Sequence, residues 1–351
     1  VISVREGCRL AALAVLISLG GGCNAILGVD NHSLKPGTGG TGGTGGAAGS
    51  SSTCSFDAAV PATDPDAGMV CGYIMPSPAY PASYPPSPMD NGVRDSVTGL
   101  IWEASVDPSK DSQSQAVNYC TLKGSGWRLP TRIELASLLD LTVVNPLPTS
   151  GPDASLPDPS LLHPMINAAF QNTPAERFWT SSHKKNSPLV DWYVGFDFGN
   201  SRQRDWTDTS RFRCVKGAPT RCFANRYEIR DADATVHDFT TGLTWQRHYS
   251  EQQMDWNTAT TFCTNTYGGD WRLPSVTELM TIVDENQESP SIDKDVFPCM
   301  PTLDSIDYFW TLSQYAGDQG WAYFVTFIHG HEDIEPVTTP YFVRCVRWEG
   351  P

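Results

Sequence analysis

Several things are missing from this 351-residue sequence, and each absence narrows the function. Beyond the N-terminus no apolar run approaches the roughly 20 residues needed to cross a bilayer as a helix. Ten cysteines are present but no Cys-x-x-Cys pair, which argues against a zinc ribbon or finger. Neither Gly-x-Ser-x-Gly nor His-Glu-x-x-His occurs, so the nucleophile elbow of a hydrolase and the metal helix of a zinc protease are both lacking. No phosphate loop is recognisable. Lysine is scarce, and a formal net charge of -15 makes nucleic acid a poor partner. What remains is aromatic, with eleven tryptophans, and long enough for two domains that each bury a core. Loop-rich modules containing strands fit this composition better than helical bundles.

The first 22 residues read as an export signal. Arg5 and Arg9 precede the apolar run "LAALAVLISLGGG", and Cys23 follows the glycines. The stretch resembles a bacterial lipoprotein signal, which implies lipidation of Cys23 and a membrane-anchored protein at the outer membrane or cell surface. Residues 23–53 contain "KPGTGGTGGTGGAAGSSST", a flexible tether with a reach on the order of 25 Å. Residues 54–89 form a Cys- and Pro-rich spacer whose "MPSPAYPASYPPSPMD" favours an extended chain.

Residues 90–217 and 218–351 are two copies of one pattern. "VTGLIW" is answered by "TTGLTW", "YC" by "FC", "GWRLPTRIEL" by "DWRLPSVTEL", "RFWTSS" by "YFWTLS" and "FRCVKG" by "VRCVRW", in the same order. Length differences between landmarks fall in polar, Pro-rich or Gly-rich stretches, where loops tolerate them. Shared positions therefore point to scaffold, and unshared loops to whatever each copy binds.

Local chemistry gives each landmark a structural expectation. The Thr-Gly pair of "TGLTW" makes a turn feeding a strand that buries its Trp. "SQSQAVNYCTL" and "WNTATTFCTNT" form short helices ending near Cys120 and Cys263. After "WRLP", Thr131 with Glu134 and Ser275 with Glu278 have capping-box spacing, each opening a second helix. Val276, Leu279, Met280 and Val283 then fall on one buried face. Alternation puts Trp192, Val194, Phe196 and Phe198 on one side of a strand, and Trp321, Tyr323, Val325 and Phe327 on one side of another. Strand, helix, helix, then several strands is an α+β order. Arg128 and Arg272 of the "WRLP" phrase need carboxylate or carbonyl partners if they are buried.

In an exported chain the cysteines imply disulfides. Cys8 leaves with the signal and Cys23 carries lipid, so eight remain. Cys120 with Cys214, and Cys263 with Cys345, occupy matching landmarks and pair within each copy. Of the three pairings open to the other four, the sequence reading takes Cys54 with Cys71 and Cys222 with Cys299.

The ordered set "TGL-x-W", a helix Cys, "WRLPT-x-x-EL", "FWTSS" and "RCV" resembles the Lcl C-terminal domain family, a bacterial surface module, over nearly all of residues 90–349. That resemblance implies two tandem C-type-lectin-like domains, each with two short helices and a mixed, mainly antiparallel sheet, acting in binding outside the cell. The adhesin domain that names the family binds sulfated glycosaminoglycans and forms trimers. "RLPT-x-x-E" also looks like the sulfatase-modifying factors, but their closely spaced reactive Cys pair has no equivalent near Cys345. A polyanionic ligand needs positive charge. Residues 90–217 hold 13 basic against 14 acidic side chains and residues 218–351 hold eight against 20, so only the first copy suits such a ligand.

Two loops carry the candidate sites. In the first copy, Lys184, Lys185, Arg202 and Arg204 can converge on an anion beside Trp206. In the second, His329 and His331 two apart, with Glu332 and Asp333, have the residue types of a metal site; calcium is possible, but the Glu-Pro-Asn and Trp-Asn-Asp signatures of calcium-dependent lectins are absent, so no cofactor is expected. The expected function is non-enzymatic recognition of a glycan, a matrix polymer or a surface protein. A structural envelope protein making protein-protein contacts is the alternative, and an envelope enzyme on the same fold a further one.

Overall fold

The computed structural model describes residues 70–72, 75, 81–88, 91–147, 158–185, 187, 189–205, 208–218, 221–230, 232, 234–287, 289–298, 300 and 307–349. The signal, Cys23, the Gly-rich tether, Cys54, Trp206 and Cys299 lie outside them. Both repeats belong to one compact unit covering Ala59–Pro148 and Leu156–Pro351.

The chain enters through β1 (Val70–Gly72), then β2 (Pro86–Ser87), β3 (Gly92–Arg94), β4 (Ile101–Glu103), α1 (Gln113–Leu122), β5 (Trp127–Arg128) and α2 (Arg132–Ala136). The first repeat continues with β6 (Arg177–His183), β7 (Val190–Gly195), β8 (Asn200–Asp205) and β9 (Val215–Lys216). Its strands make a five-stranded sheet in the order β2-β3-β4-β9-β5 and a three-stranded meander β6-β7-β8. After β10 (Arg221–Phe223) the second repeat runs β11 (Tyr227–Arg230), β12 (Thr235–Asp238), β13 (Leu243–Gln246), α3 (Trp256–Tyr267), α4 (Val276–Met280), β14 (Tyr308–Gln314), β15 (Trp321–Thr326), β16 (His331–Pro336) and β17 (Val346–Trp348). Its sheets are β11-β12-β13-β17 and the meander β14-β15-β16. All named strand pairs are antiparallel, and the expected α+β architecture in two tandem copies is what the chain adopts.

Each helix starts where the sequence supplies an acceptor for unpaired N–H groups. Complete capping boxes open α1 (Ser112 with Gln115), α2 (Thr131 with Glu134) and α4 (Ser275 with Glu278), while Asp255 caps α3. The second helix of each repeat is only five residues long, shorter than the apolar periodicity through Val283 implies. Ser137 and Thr281 explain the early stop: their hydroxyls donate to the carbonyls of Glu134 and Glu278 at 2.6 Å and draw off acceptors near the helix end. β7 and β15 also end sooner than the alternation suggests, leaving Phe196, Phe198 and Phe327 in the following turns, with Phe196 and Phe327 buried all the same.

Four tryptophans in equivalent pairs, Trp102 with Trp245 and Trp179 with Trp310, are fully buried. The Trp179 indole donates to Asp111 O at 2.9 Å and Trp310 to Met254 O at 3.0 Å, one tie made twice. Disulfides Cys120–Cys214 and Cys263–Cys345 join the first helix of each repeat to the residue just before its last strand, across sequence separations of 94 and 82. The β1–β10 register sets the backbone of Cys71 opposite that of Cys222, while Cys54 and Cys299, the partners in the sequence reading, lie outside the described residues.

Candidate functional site

The "WRLP" phrase is accounted for by folding. Arg128 donates to both carboxylate oxygens of Glu134, at 2.7 and 2.6 Å, and Arg272 to both of Glu278, at 2.7 Å each. The same glutamates accept from the N-cap N–H groups of Thr131 and Ser275 at 2.8 Å. One nearly buried carboxylate thus closes the capping box and ties the helix start to the strand carrying the Arg. Burial weakens the Arg272 charge, but the Glu278 pairing outweighs it and raises the guanidinium pKa. Sequence reasoning missed a second repeated pair, Arg213 and Arg344 of the "RCV" landmarks. Both are fully buried, and burial pulls their pKa down to about 10 and about 9. Arg344 donates to the carbonyls of Gln246 at 2.9 Å and Arg247 at 2.6 Å, and Arg213 to those of Glu103 and Ala104. Their signal was a cation at the same place in both copies beside a disulfide Cys.

The divergent segments behave differently: Asn200–Asp205 and His331–Pro336, expected as loops, are the strands β8 and β16, and the repeats pack against each other through them. Arg202 pairs with Asp333, Asn200 donates to Asp333 at 3.4 Å, and the Ser201 hydroxyl donates to Glu332 at 2.6 Å. Strand alternation sends Glu332 to the opposite face of β16 from His331 and Asp333, so the proposed metal ligands diverge. Among the described residues no group of three or more His, Cys, Asp or Glu is placed to hold a metal. Burial, with Arg202, His329 and Arg132 nearby, lowers the His331 pKa to about 3 and leaves the ring neutral. Burial pushes the Glu332 carboxyl up, against the pull of Arg132 and the Ser201 hydrogen bond.

Of the anion-site residues, Arg202 belongs to this seam and Arg204 pairs with Asp208 at 2.6 Å. Trp206 lies outside the described residues. Lys184 and Lys185 line a small, shallow cleft with Arg132, Trp192 and Gln203 of their own repeat. Its other wall comes from the second repeat and includes Glu285, Gln287, Ser291 and His329. Arg132, only 2% exposed, lies 3.8 Å above the Trp192 ring, donates to Glu285 at 2.7 Å and bonds the Gly330 carbonyl. Its pairing with Glu285 ties the two walls together, and the lining holds three cations and one carboxylate. The sequence reading singled out the lysines and, as a metal candidate, His329, but neither Arg132 nor the rest of the second wall.

A comparison with curated proteins gives no match. The family model for the Lcl C-terminal domain matches residues 91–216 and again residues 234–347, the two segments that fold as the repeats. With more than half of its length covered, the chain belongs to the Lcl C-terminal domain family and carries two tandem copies of that domain.

Proposed function

We propose that the protein is a non-enzymatic binding protein held outside the cell by lipid at Cys23, and that it recognises a glycan or matrix polymer. The observation that carries this reading is the division of labour among side chains. The landmarks shared by both copies are occupied with caps, buried tryptophans, disulfides and internally paired arginines. The unshared Lys184 and Lys185 instead line an open cleft. An acidic protein that gathers cations at one place favours an anionic ligand there. Calcium has no part in this reading, since Glu332 and Asp333 are engaged across the seam.

A glycan array probed with the full chain tests the proposal, with retention of acidic glycans expected. If the array retains no glycan, sulfated ones included, recognition of glycan fails and the structural role in protein-protein contact takes its place. Globomycin treatment of expressing bacteria tests the anchor; accumulation of the unprocessed precursor is expected, and unchanged processing refutes lipidation at Cys23.

A further inference from the structure

The spacer joins the folded part of the chain at the junction of the repeats. β1 (Val70–Gly72) makes a two-stranded sheet with β10 (Arg221–Phe223), in the antiparallel register Val70 to Phe223, Cys71 to Cys222 and Gly72 to Arg221. β10 follows the last strand of the first repeat and is fastened to the second repeat. The Phe223 ring stacks on Phe239 at 5.4 Å, and Arg226 pairs with Asp238 at 2.8 Å and donates to Thr281 O at 2.6 Å. By Met75 the chain is already part of the core of the first repeat. The ribbon thus sits where the chain enters the first repeat and where it leaves for the second.

Three residue pairs are little to hold together segments about 150 residues apart, because closing so long a loop costs entropy. A two-stranded ribbon is marginal in water even when a tight turn joins its strands. The central pair of this one is Cys opposite Cys. Directly opposite residues of an antiparallel ladder share a face, with Cα atoms about 4.5 or 5.5 Å apart. A disulfide requires about 4.4–6.8 Å, and the two inside the repeats span 5.4 and 5.6 Å. A slip of one residue would send the two positions to opposite faces, so the register itself favours a bond.

We infer that Cys71 and Cys222 are joined by a disulfide, and that this clasp carries tension from the tether to the second repeat, around the first. It replaces the Cys54–Cys71 and Cys222–Cys299 pairs expected from the sequence. Formation consumes a small-molecule or protein disulfide, RSSR, in an oxidising compartment. The thiolate of one Cys attacks RSSR and releases RS−; the thiolate of the other attacks the mixed disulfide and releases the second RS−. The two cysteines are oxidised to one S–S bond, and the donor, taking up their two protons, leaves as two RSH. The closed loop then contains the whole first repeat, with Cys120–Cys214 nested inside it. A pull between tether and second repeat crosses the clasp and leaves the first repeat unloaded. Without the clasp the first repeat lies in series. Its unfolding would then release the residues from 71 to 222 except the 94 closed by Cys120–Cys214, about 57 residues or roughly 190 Å at ~3.4 Å each. The bond needs export but not lipidation; its load-bearing role rests on the anchored reading above.

Peptide mapping of the thiol-blocked, unreduced wild-type chain decides the bond. Trypsin with an Asp-specific protease separates the four cysteines, since Asp57, Asp64 and Asp66 lie between Cys54 and Cys71. A reducible species joining the Cys71 and Cys222 peptides is expected. Cys71 found as a free thiol, or linked to Cys54 or Cys299, overturns the inference. Optical tweezers decide the load path. A full chain carrying Cys54→Ser/Cys299→Ser is pulled, unreduced, from handles at residue 63 and the C-terminus; adding Cys71→Ser/Cys222→Ser should lengthen the extended chain by about 190 Å. Equal lengths overturn the bypass. The mapping uses wild-type protein, so a variant that misfolds does not protect the bond from refutation. If globomycin refutes lipidation while mapping finds the Cys71–Cys222 species, the clasp stands and its role under tension falls.

Discussion

Replacing Glu278 by Gln isolates what the repeated "WRLP" phrase contributes. The carboxylate is 3% exposed and accepts two bonds from Arg272 at 2.7 Å and one from Ser275 N at 2.8 Å. Gln keeps an acceptor for the cap but turns an NH2 toward the guanidinium and removes the charge. Breaking a buried ion pair costs about 3–5 kcal/mol. Arg272 is 30% exposed and can partly rehydrate, so a loss of about 2–3 kcal/mol is expected. Urea unfolding followed by tryptophan fluorescence reads it as a lower midpoint at an unchanged slope. Glu134→Gln should cost a similar amount, because Arg128 and Glu134 are 33% and 3% exposed and repeat the same geometry. A loss below about 0.5 kcal/mol in both variants would place these pairs with ordinary surface ion pairs and refute the folding role assigned to the phrase.

Other consequences are equally accessible. His331 is neutral in the folded chain and protonates in the unfolded chain below about pH 6.5, so its contribution falls as pH drops toward its folded pKa of about 3. Relative to wild type, His331→Asn should gain about 2 kcal/mol between pH 7.5 and pH 5; a pH-independent difference contradicts the burial argument. Asp307 acts the other way. Burial raises its pKa to about 7, so its burial destabilises the fold increasingly as pH rises from about 4 through 7, and Asp307→Asn should narrow that loss in alkaline-side melting curves. Gly199 sits at a φ of 66°, and Gly199→Ala should cost about 1–2 kcal/mol for the left-handed backbone plus any displacement of Tyr323, measurable by thermal unfolding; a neutral effect contradicts the seam contact. Removing Cys120–Cys214 by paired Ala substitution should cost about 4.7 kcal/mol on a chain-entropy estimate, while a chelator should leave the melting temperature unchanged.

What the sequence made legible was local or repeated. Capping boxes depend on residues three apart, so Thr131–Glu134 and Ser275–Glu278 could be read directly. The two disulfides followed from matching landmarks. The seam was not legible, because Arg202 and Asp333 become partners only through docking of surfaces 131 residues apart in the chain. Divergence outside the landmarks points, in the sequence, to divergence of ligand, yet much of it is complementarity between β8 and β16: Ser201 and Arg202 occupy the positions equivalent to Glu332 and Asp333 and bond to them. The candidate metal set failed for the same reason. Its carboxylates are half of an interface whose other half lies in the first repeat.

Hydroxyl-radical footprinting of the full chain tests most directly whether the repeats are docked. Tyr315 and Tyr323 are both 0% exposed and donate to Asn145 O and Phe198 O of the other repeat. Trp310, buried within its own repeat, and Tyr267, 44% exposed, serve as internal references. Docked repeats require Tyr315 and Tyr323 to oxidise as slowly as Trp310; oxidation of either at the rate of Tyr267 would mean that the seam, and with it the two-walled cleft, does not exist in solution.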